Sequence, residues 1–96
     1  MRLGKDEIDG RLKSLQGWKR DDDEIEKKFE FKDFKEAMAF VNLVADAAEA
    51  ADHHPDIEIS YNKVEMSLST HSEGGVTDKD FDLAVKIDEA AGTSAG

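Results

Sequence analysis

The stretch between Asp33 and Pro55 limits most strongly what this chain can fold into. Within it Phe34, Ala37, Met38, Val41, Val44, Ala45 and Ala48 recur at intervals of three and four, the period of one face of an α-helix. Asp33 and Glu36 have the spacing of a capping box, in which each side chain reaches the other residue's backbone N–H. Pro55 has no N–H to donate and a fixed φ, so a helix cannot run past it. A long central helix over Phe34–Ala51 is therefore expected, with alanines that let it approach a sheet closely. The flanking sequence has to supply that sheet.

Upstream, Ile8, Leu12 and Leu15 predict a short helix from Lys5 to about Leu15, in which Gly10 costs about 1 kcal/mol relative to alanine. Gln16-Gly17 ends it, Trp18 begins a short strand, and Asp21-Asp22-Asp23 forms a solvated turn. From Ile25 to Phe31 the apolar Ile25, Phe29 and Phe31 share one parity and Glu26, Lys28 and Glu30 the other, a strand with one buried face that pairs with the Trp18 segment as a hairpin. Downstream, Ile57, Ile59 and Tyr61 alternate with polar residues, as do Val64, Met66 and Leu68, giving a second antiparallel hairpin joined around Asn62-Lys63. His71 to Gly75 is a loop whose glycines read as a tight turn needing positive φ; no Gly-Lys-Ser or Gly-Lys-Thr follows to make it a phosphate loop. Thr77 and Asp80 cap a last helix carrying Phe81, Ala84, Val85 and Ile87, and Gly92 to Gly96 form a small-residue tail expected to fray. The order is αββαββα: an α+β fold, a four-stranded antiparallel sheet with three helices packed on one face. Met38 and Met66 fall at packing positions.

A chain of 96 residues makes one domain, residues 1–96, small enough to gain from an oligomer interface. It has 23 acidic against 13 basic side chains, a formal charge of -10, and no Lys or Arg block to follow a phosphate backbone, so direct nucleic-acid binding is disfavoured. Cysteine is absent, which excludes disulfides, thiolate catalysis and cysteine-ligated zinc. The first residues lack the apolar run of a signal peptide and no segment could span a bilayer, so a cytoplasmic protein without membrane contact is expected.

The 3 histidines, His53, His54 and His71, cluster around the end of the central helix and the loop after the last strand. Imidazole has an ordinary pKa of about 6.5 and can give or take a proton near neutrality. Glu49, one turn before His53, and Asp80, at the start of the last helix, could fix tautomers. That chemistry supports acid–base work; the alternative is an ordinary exposed His-His-Pro loop. A metal site is disfavoured, because adjacent His53 and His54 seldom point at one ion and the His-x-x-x-His spacing is missing. Thr70 beside His71 makes a poor nucleophile pair, since strand neighbours point to opposite faces.

The ordered set Gly17-Trp18, Phe31-Lys32-Asp33-Phe34, Asp52-His53-His54-Pro55, Tyr61-Asn62-Lys63-Val64, Leu68-Ser69-Thr70-His71, Gly74-Gly75-Val76-Thr77 and Asp80 resembles the signature of the pterin-4a-carbinolamine dehydratases over nearly the whole domain. The resemblance implies dehydration of a 4a-hydroxytetrahydropterin to the quinonoid dihydropterin, after an aromatic amino-acid hydroxylase, by a homodimer or homotetramer. The pterin is then the substrate and no cofactor or metal is needed. His53, His54, His71, Glu49 and Asp80 are the implied catalytic residues, and His54, Trp18, Pro55 and Thr70 the implied pterin contacts. On this reading His53 and His71 donate to the departing hydroxyl from opposite faces, His54 chiefly binds the ring, Glu49 accepts or relays a proton, and Asp80 orients an imidazole. The family also offers two other roles: a dimerisation cofactor or coactivator for a transcription factor, and action on another pterin, such as one near molybdopterin.

Overall fold

The structure, a computed structural model, describes the backbone of residues 2–95 and the side chains of residues 2–92. The elements are α1 (Lys5–Leu12), β1 (Lys19–Asp21), β2 (Glu24–Glu30), α2 (Phe34–Ala51), β3 (Asp56–Ser60), β4 (Lys63–Leu68), a 3-10 turn (His71–Glu73) and α3 (Asp78–Ala95). This is the expected αββαββα order. The four strands lie in the order β1-β2-β4-β3, each neighbour antiparallel. Ile25 lies opposite Leu68, Phe29 opposite Val64 and Ile57 opposite Met66, so the apolar parities of β2, β3 and β4 fall on one face. On that face Ile8, Ala37, Phe40, Val44, Phe81, Leu83, Ala84 and Ile87 from the helices complete a single core with Ile25, Phe29, Val64, Met66 and Leu68.

The opposite face carries carboxylates. The Glu24 carboxyl is held above its usual range, first by burial and then by Glu26, Asp21, Asp56 and Glu65. Among the described residues no helix is long and apolar enough to cross a membrane.

Both ends of α2 have a local cause. Asp33 accepts from the Glu36 N–H at 2.9 Å, while the Glu36 carboxylate reaches the Lys32 N–H at 3.4 Å and not that of Asp33; the extended Asp33 backbone, φ -155°, displaces the expected box by one residue. At the other end Asp52 turns left-handed at φ 51°, and the His53 N–H returns to the Ala48 carbonyl at 3.1 Å. The helix therefore stops at its own cap, before Pro55 is reached.

The buried stripe of α2 is Ala37, Phe40, Val44 and Ala48. Phe34, expected inside, is 48% exposed, as is Val85 of α3 at 45%, while Phe40 and Leu83 take the core positions. The cause is that α2 packs along α3 as well as over β4, which turns its apolar face. α1 is shorter than expected: from Lys13 to Leu15 the N–H groups bond three residues back, to Gly10, Arg11 and Leu12, a tightened end that still leaves Leu15 against the core. The second hairpin turns at Tyr61-Asn62, one residue early, because Ser60 pairs with Lys63. Tyr61 adopts φ 55°, and Asn62 is locked to Phe31 by its side-chain amide at 2.7 Å and its carbonyl at 2.8 Å. The expected fraying tail begins at Gly92; the helix continues to Ala95, and Gly96 lies outside the described residues.

Candidate active site

The left-handed Asp52 ends α2 and places His53 and His54 at the beginning of the connection to β3, while β4 delivers Thr70 and His71 and the first turn of α3 delivers Asp80. Thr77 and Asp80 form the capping box of α3: the Thr77 hydroxyl accepts from the Lys79 N–H at 3.3 Å and Asp80 Oδ2 accepts from the Thr77 N–H at 2.9 Å. The same Oδ2 accepts from the Thr70 hydroxyl at 2.9 Å, and the other oxygen, Oδ1, meets His53 Nε2 at 2.5 Å.

Asp80 is completely buried, and these three donors are what allow a carboxylate to sit there. Thr70 has one proton and gives it to Asp80, so at the 2.7 Å contact between the two hydroxyls Thr77 donates and Thr70 accepts. The chain of donors runs from Thr77 through Thr70 to Asp80, and from His53 to Asp80. An ionised Asp80 only accepts; it therefore fixes Nε2 of His53 as the protonated nitrogen and leaves Nδ1 to exchange a proton.

His53, 11% exposed, lines a cleft of about 470 Å³ with Ala47, Ala50, Ala51 and Leu83 and the charged Lys79, Asp82 and Lys86. That volume lies within the roughly 300–1,000 Å³ of small-ligand sites. His54 and Glu49 form a second, exposed pair, Nε2 to Oε2 at 2.5 Å.

The other expected residues are not gathered at this cleft. His71 is exposed and lines a separate recess of about 410 Å³ with Ser69, Gly74 and the acidic run from Asp21 to Glu24. It is joined to the His53 branch through its neighbour Thr70, which binds Asp80. Thr70 itself is buried, its hydroxyl engaged by Asp80 and Thr77, so it supports the carboxylate. Trp18 is buried in the core: its indole N–H donates to both oxygens of Asp88 at 3.1 and 3.2 Å, and its ring meets Phe29 edge-on. Lys27 Nζ joins the same Asp88 at 2.9 Å and the Gln16 carbonyl at 2.9 Å. A tryptophan whose N–H is already paired in the core has no free polar edge for a ligand. Pro55 is half-buried just ahead of β3.

Among the described residues the group able to hold a metal is Asp21, Glu24 and Glu26, on the outer part of the sheet and not at the histidines. Asp88 and Lys27 carry no motif that sequence reading could have used, whereas the Thr77-to-Asp80 spacing was the one signal for the buried carboxylate's place.

The chain folds as a small α+β unit that sets an imidazole on a buried carboxylate at the end of its central helix, beside a cleft of small-ligand size. A family model described as pterin 4 alpha carbinolamine dehydratase matches residues 1–90, and the chain belongs to that family. A relative from Picosynechococcus sp., named for the same dehydratase, is 53% identical over 88 residues, covering 92% of this chain and 96% of its own length. One from Roseiflexus sp. is 56% identical over 88 residues, covering 92% and 95%. Among solved structures, a transcriptional coactivator/pterin dehydratase from Brucella melitensis superposes with a TM-score of 0.91 at 41% identity, covering 95% of this chain and 99% of that one. A pterin dehydratase-like protein described as a RuBisCO assembly factor in the alpha-carboxysome, at 22% identity and a TM-score of 0.65 over 78% of this chain and 87% of that one, shares the fold.

Proposed function

We propose that the protein dehydrates a 4a-hydroxytetrahydropterin to the quinonoid dihydropterin and water by metal-free general acid–base catalysis. The observation that carries this reading is His53 held by the buried Asp80 at the wall of the cleft. In the reaction the C4a–O bond breaks and its hydroxyl takes a proton, while N5 loses a proton as the C4a=N5 bond forms. One proton is given and one taken, so the protein's proton count is unchanged, and a proton returns to His53 from the accepting group or from solvent before the next turnover.

His53, oriented by Asp80, gives the proton to the leaving hydroxyl. His71 supplies a second proton-transfer group from its own recess, His54 binds the ring, and Glu49 accepts the proton through its pairing with His54. A positioned acid supplies about 10² to 10⁴ in rate, and the reaction asks for no cofactor beyond its pterin substrate. The reading places the protein in the cytoplasm, after an aromatic amino-acid hydroxylase that releases the carbinolamine. Stopped-flow absorbance of enzymatically generated 4a-hydroxytetrahydropterin, with and without the protein and with chelator in parallel, tests it. Acceleration that survives chelation is expected; a folded sample that leaves the decay unchanged contradicts the reading and favours a relative acting on a different pterin.

A second reading, protein binding, has one observation in its favour. Phe34 and Leu43 on α2, and Ile59 and Tyr61 at the outer strand β3, are exposed apolar side chains available to a second copy or another partner. The Brucella relative is described as a coactivator as well as a dehydratase. Light scattering of the protein alone is expected to give a dimer or tetramer.

A further inference from the structure

The segment from His71 to Asp80 carries both branches of the site, and the first half of it is tied down by the N-terminal residues. Thr70 and Gly75 form an isolated antiparallel bridge, with the Thr70 N–H on the Gly75 carbonyl at 2.9 Å and the return bond at 3.4 Å. Inside it the Glu73 N–H bonds the Thr70 carbonyl at 2.9 Å, the Gly74 N–H bonds the His71 carbonyl at 3.1 Å, and Gly74 takes φ 75°. The side chains of His71, Ser72 and Glu73 are exposed.

Arg2, 72 residues earlier in sequence, donates from Nη1 to the Gly74 carbonyl at 3.2 Å. Leu3, partly buried against the core, donates its N–H to the Val76 carbonyl at 2.7 Å. The stem of Arg2 lies on Gly75: a Cβ at that position would come within 3.3 Å of Arg2 Cδ. Gly75 has no positive φ, so the two glycines serve different ends. Gly74 makes the left-handed turn, and Gly75 admits the arginine.

We infer that Arg2 is a positioning residue for His71. It fixes the Gly74 carbonyl and covers Gly75, and thereby holds the exposed 3-10 turn that presents the imidazole. The His53 branch meets this turn only through Thr70, and Asp80 is held as well by the Thr77 N–H at the start of α3. Arg2 therefore acts on His71 far more than on His53. The kinetic consequence rests on the dehydratase reading; the effect on the His71 environment rests on the geometry alone.

The test combines Arg2→Ala, Arg2→Lys and His71→Ala. Arg2 is exposed, so Arg2→Ala should melt within a few degrees of wild type, a range typical of surface substitutions. Carbon–proton NMR of the three imidazoles over a pH series should show the His71 resonance shifted and broadened in Arg2→Ala, restored in Arg2→Lys, with His53 moved far less. An unchanged His71 resonance, or equal changes at His53, overturns the inference. In turnover, Arg2→Ala should lower kcat about tenfold, a part of the 10² to 10⁴ a positioned acid supplies. In the His71→Ala background the same change should cost less than about twofold, since a residue acting through His71 has nothing left to act on. An equal loss in both backgrounds overturns it. A wild-type protein with no pterin turnover removes the dehydratase reading, and the NMR comparison alone then decides the role of Arg2.

Discussion

Asp80→Asn and Asp80→Ala should part company, because the buried carboxylate does two jobs that the two replacements separate. In Asp80→Ala the Thr77 N–H and the His53 N–H lose their acceptor inside the protein, and the Thr70 hydroxyl is left with Thr77 alone. Each buried polar group without a partner costs about 1–3 kcal/mol, so the loss is about 3–5 kcal/mol, a large share of the roughly 5–15 kcal/mol of a small domain. Asp80→Asn keeps an oxygen for Thr77 and Thr70 and turns its amide N–H to His53. The cost in stability is then about 1 kcal/mol, near the net worth of a single hydrogen bond. The imidazole, however, must now accept at Nε2 and carry its proton on Nδ1, so the neutral ring has the wrong tautomer and the imidazolium has lost its counter-charge. Turnover should fall by about 10² to 10⁴ in a protein that still folds. Urea unfolding by circular dichroism and stopped-flow dehydration measure the two effects separately. Wild-type turnover in Asp80→Asn would refute the orienting role, and equal destabilisation by both variants would refute the hydrogen-bond reasoning.

Three further outcomes are expected. Asp88→Ala leaves the Trp18 indole N–H without its acceptor and the Lys27 ammonium with the Gln16 carbonyl alone, which should cost about 1–2 kcal/mol in unfolding free energy while leaving the rate of pterin dehydration unchanged; a matching loss of turnover would bring Trp18 back to the site. Glu24→Gln should raise stability near neutral pH by a few tenths of a kcal/mol, about the scale of a relieved like-charge pair on a sheet. The folded Glu24 carboxyl binds its proton more tightly than the unfolded chain does, so its ionisation weakens the fold as pH rises through the folded pKa. The advantage of Gln over Glu should vanish in thermal melts taken below the ordinary carboxylate range, and an advantage that persists there would contradict the electrostatic origin. Glu49→Gln should leave melting unchanged, since its pair with His54 is exposed, but lower turnover; full activity would remove Glu49 from the proton path.

What the sequence discloses and what it hides follow from the range of the interactions. The ends of α2 are legible because Asp33, Glu36 and the residues ahead of Pro55 act on backbone groups within a turn of themselves. Strand faces are legible for the same reason, as the parity of Ile25 with Phe29 and of Val64 with Met66 and Leu68 is a local property. Phe34 and Phe40 trade places because which edge of an apolar stripe is covered depends on where α3 lies, and no spacing within α2 records that. The Thr77-to-Asp80 box is visible in sequence, yet its link to Thr70 and His53 arises only when β4 and α2 converge on the start of α3. Trp18 finds Asp88 and Arg2 finds Gly74 across 70 and 72 residues, and neither pairing leaves a trace in local pattern. The three histidines, neighbours by motif, part in the fold: His53 and His71 line separate recesses with Thr70 and Asp80 between them, and His54 pairs with Glu49 at the surface.

The most direct test of the central claim is the single-turnover rate of 4a-hydroxytetrahydropterin dehydration by His53→Ala beside the wild-type protein, both shown to be folded. If His53 on its buried carboxylate is the acid, the wild type accelerates the decay and the variant loses about 10² to 10⁴ of that acceleration. A variant that dehydrates the pterin as fast as the wild type would place the chemistry elsewhere and contradict the account.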